Sequence, residues 1–443
     1  MRLLSAIHLT LYLTFILALS QSARGGLIRD TELEAGLQEL AAPLLKAANL
    51  APKSIDFRII INSNYNAFVA GEKVVYLNSG LILNSQSPEE ILGVIAHELG
   101  HITAGHVPRR DETVKDASKA GTLAALAAIA LAAGGVSNNA AMGVAIGGTD
   151  QAKRNMLRSF RYDEAIADEL GLEYLDKAGI TSAGLEQMMR RMAAQRALPE
   201  SRQSQYYTTH PGAARRLAIY LDHTKQTRHR TSALSITKQR LANRLIKKLR
   251  AYSEPADTVL QQTDAADQAN TNYSHAIAHY RRGDLSAAYK LMTELSNKAP
   301  DDAFYHEFRG DILMSMADPE LAVLVYKKAL KLRPNSPQIQ LNLGRALIAT
   351  NEKANIRLAI RFISSAKASE PKWAFIHRQL AIAYGRVGQI ARADLSLAEE
   401  AILLGDEQQA LRLAKRILAM ASIADDIKNR ANDILYRFGS SSK

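Results

Sequence analysis

The chain has 443 residues, 47% of them hydrophobic, and carries a formal net charge of +12. A chain of this length has ample core material and is expected to divide into at least two domains. It contains no cysteine, which excludes disulfide bonds and a lipid anchor attached to cysteine.

Residues 1–23 have the pattern of a cleaved secretory signal peptide. The positively charged Arg2 is followed by an apolar run from Leu9 to Leu19 and by small residues up to Ala23. This run is too short for a comfortable membrane span, which needs about 20 apolar residues. Export together with the absence of cysteine favours the bacterial periplasm.

A first domain is predicted over 27–225, and its early part contains two strand-like runs. Phe57–Ile61 and Lys73–Leu77 are rich in β-forming residues and are separated by a turn. Such strands can present an edge that binds an extended peptide through main-chain hydrogen bonds. The alternative is that both are ordinary core strands.

The next predicted element is a helix that begins at Pro88 and contains His-Glu-Leu-Gly-His at 97–101. Ser87 is a suitable N-cap, and Glu90 is placed to close a capping box. Two histidines four residues apart share one helix face, so both rings can reach one metal ion. Glu98 can hold a water molecule against that metal, as the general base of a zinc hydrolase does.

His97 and His101 supply two ligands, whereas a catalytic zinc usually has three protein ligands and one open position. A third histidine six residues after His101 would be typical of another peptidase class, but that position is Val107. His106 lies nine residues after His97, on roughly the opposite side of the helix. We therefore predict a helix-end role for His106 and look for a carboxylate ligand on a second helix.

That second helix is predicted over 153–178. Glu164 and Asp168 are four residues apart and so share one face. Glu164 is predicted to be the third zinc ligand. Asp168 is predicted to orient a ligand histidine and to fix its tautomer.

These motifs resemble the HtpX- and BepA-type zinc endopeptidases, a branch of the gluzincins. The resemblance covers about 27–225, and Phe160 stands where the family commonly has serine. The residues that carry it are H-E-L-G-H-x-x-x-x-H at 97–106, R-x-x-E-x-x-A-D at 161–168, and T-H-P-x-x-x-x-R from Thr209 to Arg216. The resemblance implies one zinc ion per chain, bound by His97, His101 and Glu164. It also implies that Glu98 is the general base and acid, that Asp168 orients a metal ligand without binding the metal itself, and that His210 lies close to the metal.

His210 has two interpretations at this stage. A neutral imidazole can occupy the fourth zinc position and keep the enzyme latent until its segment moves. Otherwise His210 contacts substrate or the developing oxyanion, or simply caps the helix that contains Arg216.

Two further segments are open to a membrane interpretation. Residues 120–149 carry no charge and form either a packed helical hairpin or lid, or a hairpin that touches the membrane. Residues 226–267 are predicted to be a basic helical linker, because nine lysines and arginines and no acidic residue lie between His223 and Ser253. The alternative for 233–253 is a helix lying on an anionic membrane surface. We expect no nucleic-acid binding.

Residues 268–443 are predicted to be a stack of tetratricopeptide repeats. Gly310, Tyr326 and Pro334 occupy consensus positions of one repeat, and Pro300 and Pro334 are separated by the 34-residue period. Further copies are recognised from the same pattern, and the last helical pair is expected to cap the stack. Such a stack presents a surface to partner proteins or serves only as a spacer.

The predicted fold class is therefore mainly α with a small β-sheet: a gluzincin-type zinc peptidase domain followed by an α-solenoid of tetratricopeptide repeats. The resemblance implies a periplasmic endopeptidase that acts on protein substrates in the quality control and assembly of outer-membrane proteins, with the repeats binding the assembly machinery. The alternative is a periplasmic chaperone or scaffold that works through its repeats. The intact ligand set and Glu98 argue against it, because a scaffold needs no general base.

Overall fold

The fold is mainly helical with one four-stranded sheet, as the sequence predicts. The chain divides into two compact units, Met1–Leu249 and Arg250–Lys443. The predicted signal peptide at 1–23 and the uncharged stretch at 120–149 lie outside the described residues. The computed structural model describes residues 26–70, 73–106, 160–198, 206, 210, 212–229 and 232–439.

The sheet of the first unit has the strand order β1-β2-β4-β3. Its strands are β1 Leu27–Ile28, β2 Asp56–Ile60, β3 Ala67–Ala70 and β4 Val74–Asn78. The two central strands, β2 and β4, run parallel, and the outer strands pair with them antiparallel. The two strand runs predicted from the sequence are these central strands, so they are core strands. The outer strand β3 is a third strand that the sequence pattern did not separate.

Seven α-helices lie in the described part of this unit, and the last of them continues past its end at Leu249. They are α1 Thr31–Ala47, α2 Ser79–Asn84, α3 Pro88–Thr103, α4 over 160–178, α5 Ala183–Ala194, α6 Ala213–Gln226 and α7 Ile236–Ser253. Helix α3 begins as predicted, since the Ser87 hydroxyl accepts a hydrogen bond from the Glu90 backbone N–H at 3.3 Å. The Glu90 carboxylate accepts the N–H of Gln86, one residue beyond the usual capping box.

Helix α7, part of the predicted basic linker, packs into the core of the first unit. Leu245 and Leu249 on its apolar face are 3% and 2% exposed. On its basic face, Arg244 and Lys248 both form ion pairs with Glu32 of α1. Leu234, Leu245 and Leu249, on which the membrane interpretation of 233–253 depends, are therefore covered by protein. Among the described residues, no helix has both the length and the apolarity that a membrane crossing needs.

The second unit contains a short helix, α8 Ala256–Gln261, followed by five helical hairpins. The hairpins are α9 Gln268–Arg281 with α10 Leu285–Lys298, α11 Ala303–Ser315 with α12 Pro319–Leu332, α13 Pro337–Ala349 with α14 Lys353–Ser369, α15 Ala374–Arg386 with α16 Ile390–Leu404, and α17 Glu407–Leu418 with α18 Asp425–Gly439. Small residues allow the paired helices to approach closely, as predicted. A Cβ atom at Gly310 would lie 2.6 Å from the Tyr326 ring, and one at Gly344 would lie 2.3 Å from Ile363.

Three of the hairpins also share a polar contact that the sequence pattern does not reveal. The first helix of each carries a side chain that bonds to the carbonyl oxygen of the proline six residues earlier. The contacts are His306 Nε2 to Pro300 O at 2.9 Å, Gln340 Nε2 to Pro334 O at 2.9 Å, and His377 Nε2 to Pro371 O at 3.1 Å. Each contact ties a helix to the turn that precedes it.

Candidate metal centre

The candidate centre lies where helices α3 and α4 cross. Two glycines allow the two backbones to approach closely at this point. A Cβ atom at Gly100 would lie 2.6 Å from the Ala167 carbonyl oxygen, and one at Gly171 would lie 3.1 Å from the His97 backbone nitrogen. The crossing therefore brings the histidines of α3 against the carboxylates of α4.

Four buried side chains converge at this crossing, and their ligand atoms all lie within 4.8 Å of one another. The Nε2 atoms of His97 and His101 are 3.1 Å apart. Glu164 places one oxygen 3.2 Å from His97 Nε2 and the other 3.3 Å from His101 Nε2. His210 comes from a separate segment and places its Nδ1 atom 3.0 Å from Glu164 Oε2. Such a set of two or three imidazoles and one carboxylate is typical of zinc sites.

Asp168 holds the ring of His97 from behind. Its Oδ1 atom lies 2.9 Å from His97 Nδ1, and it also accepts hydrogen bonds from Arg216 and Tyr220. Burial raises the pKa of Asp168, but the Arg216 guanidinium outweighs this effect and lowers the pKa from 3.8 to about 2. The ionised carboxylate accepts a hydrogen bond from His97 Nδ1–H, so a neutral His97 presents its Nε2 lone pair to the metal position.

The electrostatics of the pocket favour a positive charge. Burial and Arg216 lower the pKa of His97, yet hydrogen bonds to Asp168 and Glu164 outweigh them and raise it to about 9. Burial raises the pKa of Glu164, but His210 and Arg216, whose Nη1 lies 2.9 Å from Oε2, hold it well below its usual range. Without an ion the pocket therefore retains a proton, and a metal cation would take the place of that charge.

The side chains present fit a zinc ion. Three buried carboxylates, Glu98, Glu164 and Asp168, face one buried guanidinium, that of Arg216. This excess of buried carboxyl groups over guanidinium groups suits a divalent cation, since an uncompensated buried charge is costly. The Oε1 atom of Glu98 is also buried and has no hydrogen-bond partner within the described ranges. The Nε2 atom of His210 lies 3.7 Å from this oxygen.

The structure brings together every residue that the sequence analysis assigned to the site. His106 is not part of the four-residue metal group, but it lies beside His101 and not on the opposite side of the helix as predicted. Sequence reasoning missed the role of Arg216, which joins Asp168 and Glu164, although its place in the T-H-P-x-x-x-x-R segment was a signal. It also missed Tyr206, whose ring stacks on that of His210 with the centroids 4.2 Å apart.

This combination of fold and site defines a zinc metallopeptidase domain. Residues 28–223 match the model of peptidase family M48, so this segment of the chain is an M48 peptidase domain. Members of this family use zinc, and the cluster of His97, His101, Glu164 and His210 suits that ion.

Particular relatives extend the match beyond this domain. A protein of Vibrio cholerae is 29% identical over 297 residues, which are 64% of this chain and 59% of that protein. The beta-barrel assembly-enhancing protease of Escherichia coli is 26% identical over 337 residues, which are 74% of this chain and 68% of that protein. The alignments thus span about three fifths to two thirds of the relatives' own length. Among solved structures, MamA of Desulfovibrio magneticus is 22% identical with a TM-score of 0.31, covering 40% of this chain and 98% of that chain.

Proposed function

We propose that this protein is a zinc-dependent endopeptidase of the bacterial periplasm that acts on outer-membrane proteins during their assembly and quality control. The single observation that carries the catalytic part is the buried cluster of His97, His101 and Glu164 with Glu98 beside it. The substrate class is supported by the name of the Escherichia coli relative. The compartment is supported by the signal-like sequence of residues 1–23.

The residues of the site have distinct tasks in peptide hydrolysis. When bound by His97, His101 and Glu164, zinc would polarise the scissile carbonyl and increase the acidity of a water molecule. The Glu98 carboxylate accepts the proton of that water and returns it to the leaving amine. Its Oε1 atom can do so because no described neighbour donates a hydrogen bond to it. Asp168 keeps His97 in the tautomer that binds metal.

An extended substrate can bind beside this centre by adding to the sheet. The outer strand β3, Ala67–Ala70, pairs with β4 on one side and packs near α3, the helix that carries Glu98. Main-chain hydrogen bonds to its other side would hold an unfolded segment independently of its sequence. This mode suits an enzyme that acts on incompletely folded proteins.

We assign the docking of larger partners to the helical hairpins of the second unit. Phe375 and Ile382 of α15 lie seven residues apart, hence two turns apart on one helix face, and are 36% and 40% exposed. The guanidinium of Arg345 lies 5.5 Å from the Phe375 ring centroid. An exposed apolar pair with a neighbouring cation suits contact with another protein.

The test of the enzymatic proposal is Glu98→Gln in the full chain, with zinc content measured by mass spectrometry and cleavage measured on an unfolded protein. We expect about one zinc per chain in both proteins and a loss of cleavage of about 10²–10⁴-fold in the variant. Glu89→Gln is a matched control, because Glu89 lies on the same helix and its carboxylate accepts the Leu234 N–H, a hydrogen bond that an amide oxygen can also accept.

The same substitution, tested in cells, separates the enzyme from the chaperone or scaffold alternative. A scaffold would retain its effect on outer-membrane protein levels in cells after Glu98→Gln, whereas the proposed peptidase would lose it. Full cleavage by the Glu98→Gln protein would rule out the assigned general base.

A further inference from the structure

The second ring nitrogen of His101 points at another buried histidine. His101 Nδ1 lies 2.8 Å from Nδ1 of His106, and the two ring centroids are 5.0 Å apart. His106 is fully buried. It reaches this position because α3 ends at Thr103 and Gly105 adopts a left-handed backbone with φ of +66°. The chain therefore turns back, and His106 lies beside His101 instead of on the opposite helix face.

Metal binding by His101 determines which ring nitrogens of this pair carry protons. The Nε2 atom of His101 faces the ligand atoms of His97 and Glu164, so it must carry a lone pair there. The proton of a neutral imidazole then resides on Nδ1 and can be donated only to an acceptor. His106 Nδ1 must supply that lone pair, which places the proton of His106 on its own Nε2 atom.

The far side of His106 faces a carboxylate of the second site helix. His106 Nε2 lies 3.7 Å from Oδ1 of Asp163, a residue that is 1% exposed. Asp163 directly precedes the ligand Glu164 in α4. The contacts from His101 through His106 thus lead to Asp163, as the direct contact of His97 leads to Asp168.

We propose that His106 is a positioning residue of the zinc site, which fixes the tautomer and ring orientation of His101 as Asp168 does for His97. Each histidine ligand then has its own buried acceptor, an imidazole in one case and a carboxylate in the other. Removal of a group that orients a metal ligand in this way lowers metal affinity about 10- to 100-fold. The inference rests on the proposed zinc site.

The experiment measures the affinity of the full chain for zinc alone, by competition with a chromophoric chelator, in four proteins. These are the wild type, His106→Ala, His106→Asn and His106→Gln. The amide oxygen of asparagine can occupy the place of His106 Nδ1 and accept a hydrogen bond from His101 Nδ1–H, whereas the amide of glutamine reaches toward the place of Nε2. We expect zinc affinity to fall about 10- to 100-fold with alanine and glutamine and to stay within about 3-fold of wild type with asparagine.

Two readouts distinguish positioning from a merely structural role. Thermal unfolding of the metal-free proteins reports the fold, and the visible spectrum of the cobalt-loaded proteins reports the ligand geometry. We expect a changed cobalt spectrum for alanine but not for asparagine. Wild-type zinc affinity in His106→Ala would overturn the inference, as would a loss confined to metal-free stability. If the alanine variant does not fold, equal affinities of the asparagine and glutamine variants would overturn it.

The outcome for the wild type separates this inference from the proposed function. A wild-type chain that binds no zinc would overturn the proposed enzyme and this role of His106 together. A zinc-binding wild type with an unaffected His106→Ala variant would overturn the role of His106 alone.

Discussion

Arg216 holds Asp168 through two parallel hydrogen bonds, from Nε to Oδ2 and from Nη2 to Oδ1, each 2.7 Å long. Both side chains are buried, at 4% and 1% exposed, and the guanidinium also contacts the ligand Glu164. A planar guanidinium can contact two carboxylates in this way, which the point charge of lysine cannot reproduce. Arg216 thus links the group behind His97 to a metal ligand.

Replacing this arginine should destabilise the metal-free protein. Arg216→Ala leaves the two carboxylates of Asp168 and Glu164 buried without their counter-charge, a loss expected to cost about 3–5 kcal/mol of the free energy of unfolding. Urea unfolding of the metal-free protein measures this cost, and Arg215→Ala is a matched control because the neighbouring side chain is exposed. Equal unfolding midpoints for the two variants would contradict the role assigned to Arg216.

The metal ligands could be predicted from the sequence because helix spacing determines which side chains share a face. His97 and His101 on α3, and Glu164 and Asp168 on α4, are each separated by one turn. The orientation of His106 could not be predicted in this way, since the argument from spacing assumes a helix that continues beyond Gly105. There the backbone turns, with φ of +66°.

Pairings between distant segments were equally hidden in the sequence. The basic composition of α7 suggested a linker. Its ion-pair partner Glu32 lies more than 200 residues earlier in the chain, so the sequence did not show that α7 packs against α1. The order of the strands was likewise not predictable, since alternation marks a strand but does not identify its neighbours. The contacts of Arg216 with Asp168 and Glu164 depend on the same long-range folding.

The extent of the first unit leads to a prediction about truncation. A chain that ends at residue 267 retains all of α7, whereas one that ends at residue 235 loses Leu245 and Leu249 from the core and Lys248 from its pair with Glu32. We expect the longer product to fold and to cleave a short unstructured peptide at a rate within about 2-fold of the full chain, because a domain carries its own core. We expect the shorter product to be unfolded or aggregated.

The longer product also tests the assignment of the repeats. Cross-linking in cells should recover outer-membrane assembly proteins with the full chain but not with the chain that ends at residue 267. Recovery of the same proteins by both would contradict the docking role of the second unit.

Two histidines of the repeat unit should make its stability depend on pH. Burial lowers the pKa of His306 and of His377 below the usual value of 6.5, although the hydrogen bonds to Pro300 and Pro371 act in the opposite direction. Each ring donates from Nε2, and its buried Nδ1 has no hydrogen-bond partner in the described part of the chain. Protonation of Nδ1 is therefore costly in the folded state.

The sign of the effect follows from proton linkage. The unfolded chain takes up protons at these histidines near pH 6.5, whereas the folded chain does so only at lower pH. Their contribution to stability is therefore complete above pH 6.5 and is lost as the pH falls below it. Urea unfolding followed by the fluorescence of Trp373, the single tryptophan, should show lower stability of the repeats at pH 5.5 than at pH 7.5.

Glutamine supplies the matched control, because Gln340 makes the same contact with its proline without titrating. The double variant His306→Gln with His377→Gln should lose less stability between pH 7.5 and pH 5.5 than the wild type. An identical pH dependence in both proteins would show that these histidines do not contribute.

The last prediction concerns His210, which faces two groups of the site at once. Its Nδ1 atom lies among the ligand atoms, 3.3 Å from His97 Nε2, and its Nε2 atom faces Glu98 at 3.7 Å. An imidazole in this position can fill the fourth position of zinc and exclude the water that hydrolysis requires. We therefore predict that His210→Ala raises basal cleavage or self-cleavage several-fold while zinc stays bound, as measured by peptide hydrolysis and metal content. Adding Glu98→Gln to His210→Ala should abolish the increase, because the additional cleavage must come from this site. A folded, zinc-loaded His210→Ala protein with reduced cleavage would instead assign His210 to the stabilisation of the transition state, as an oxyanion contact does.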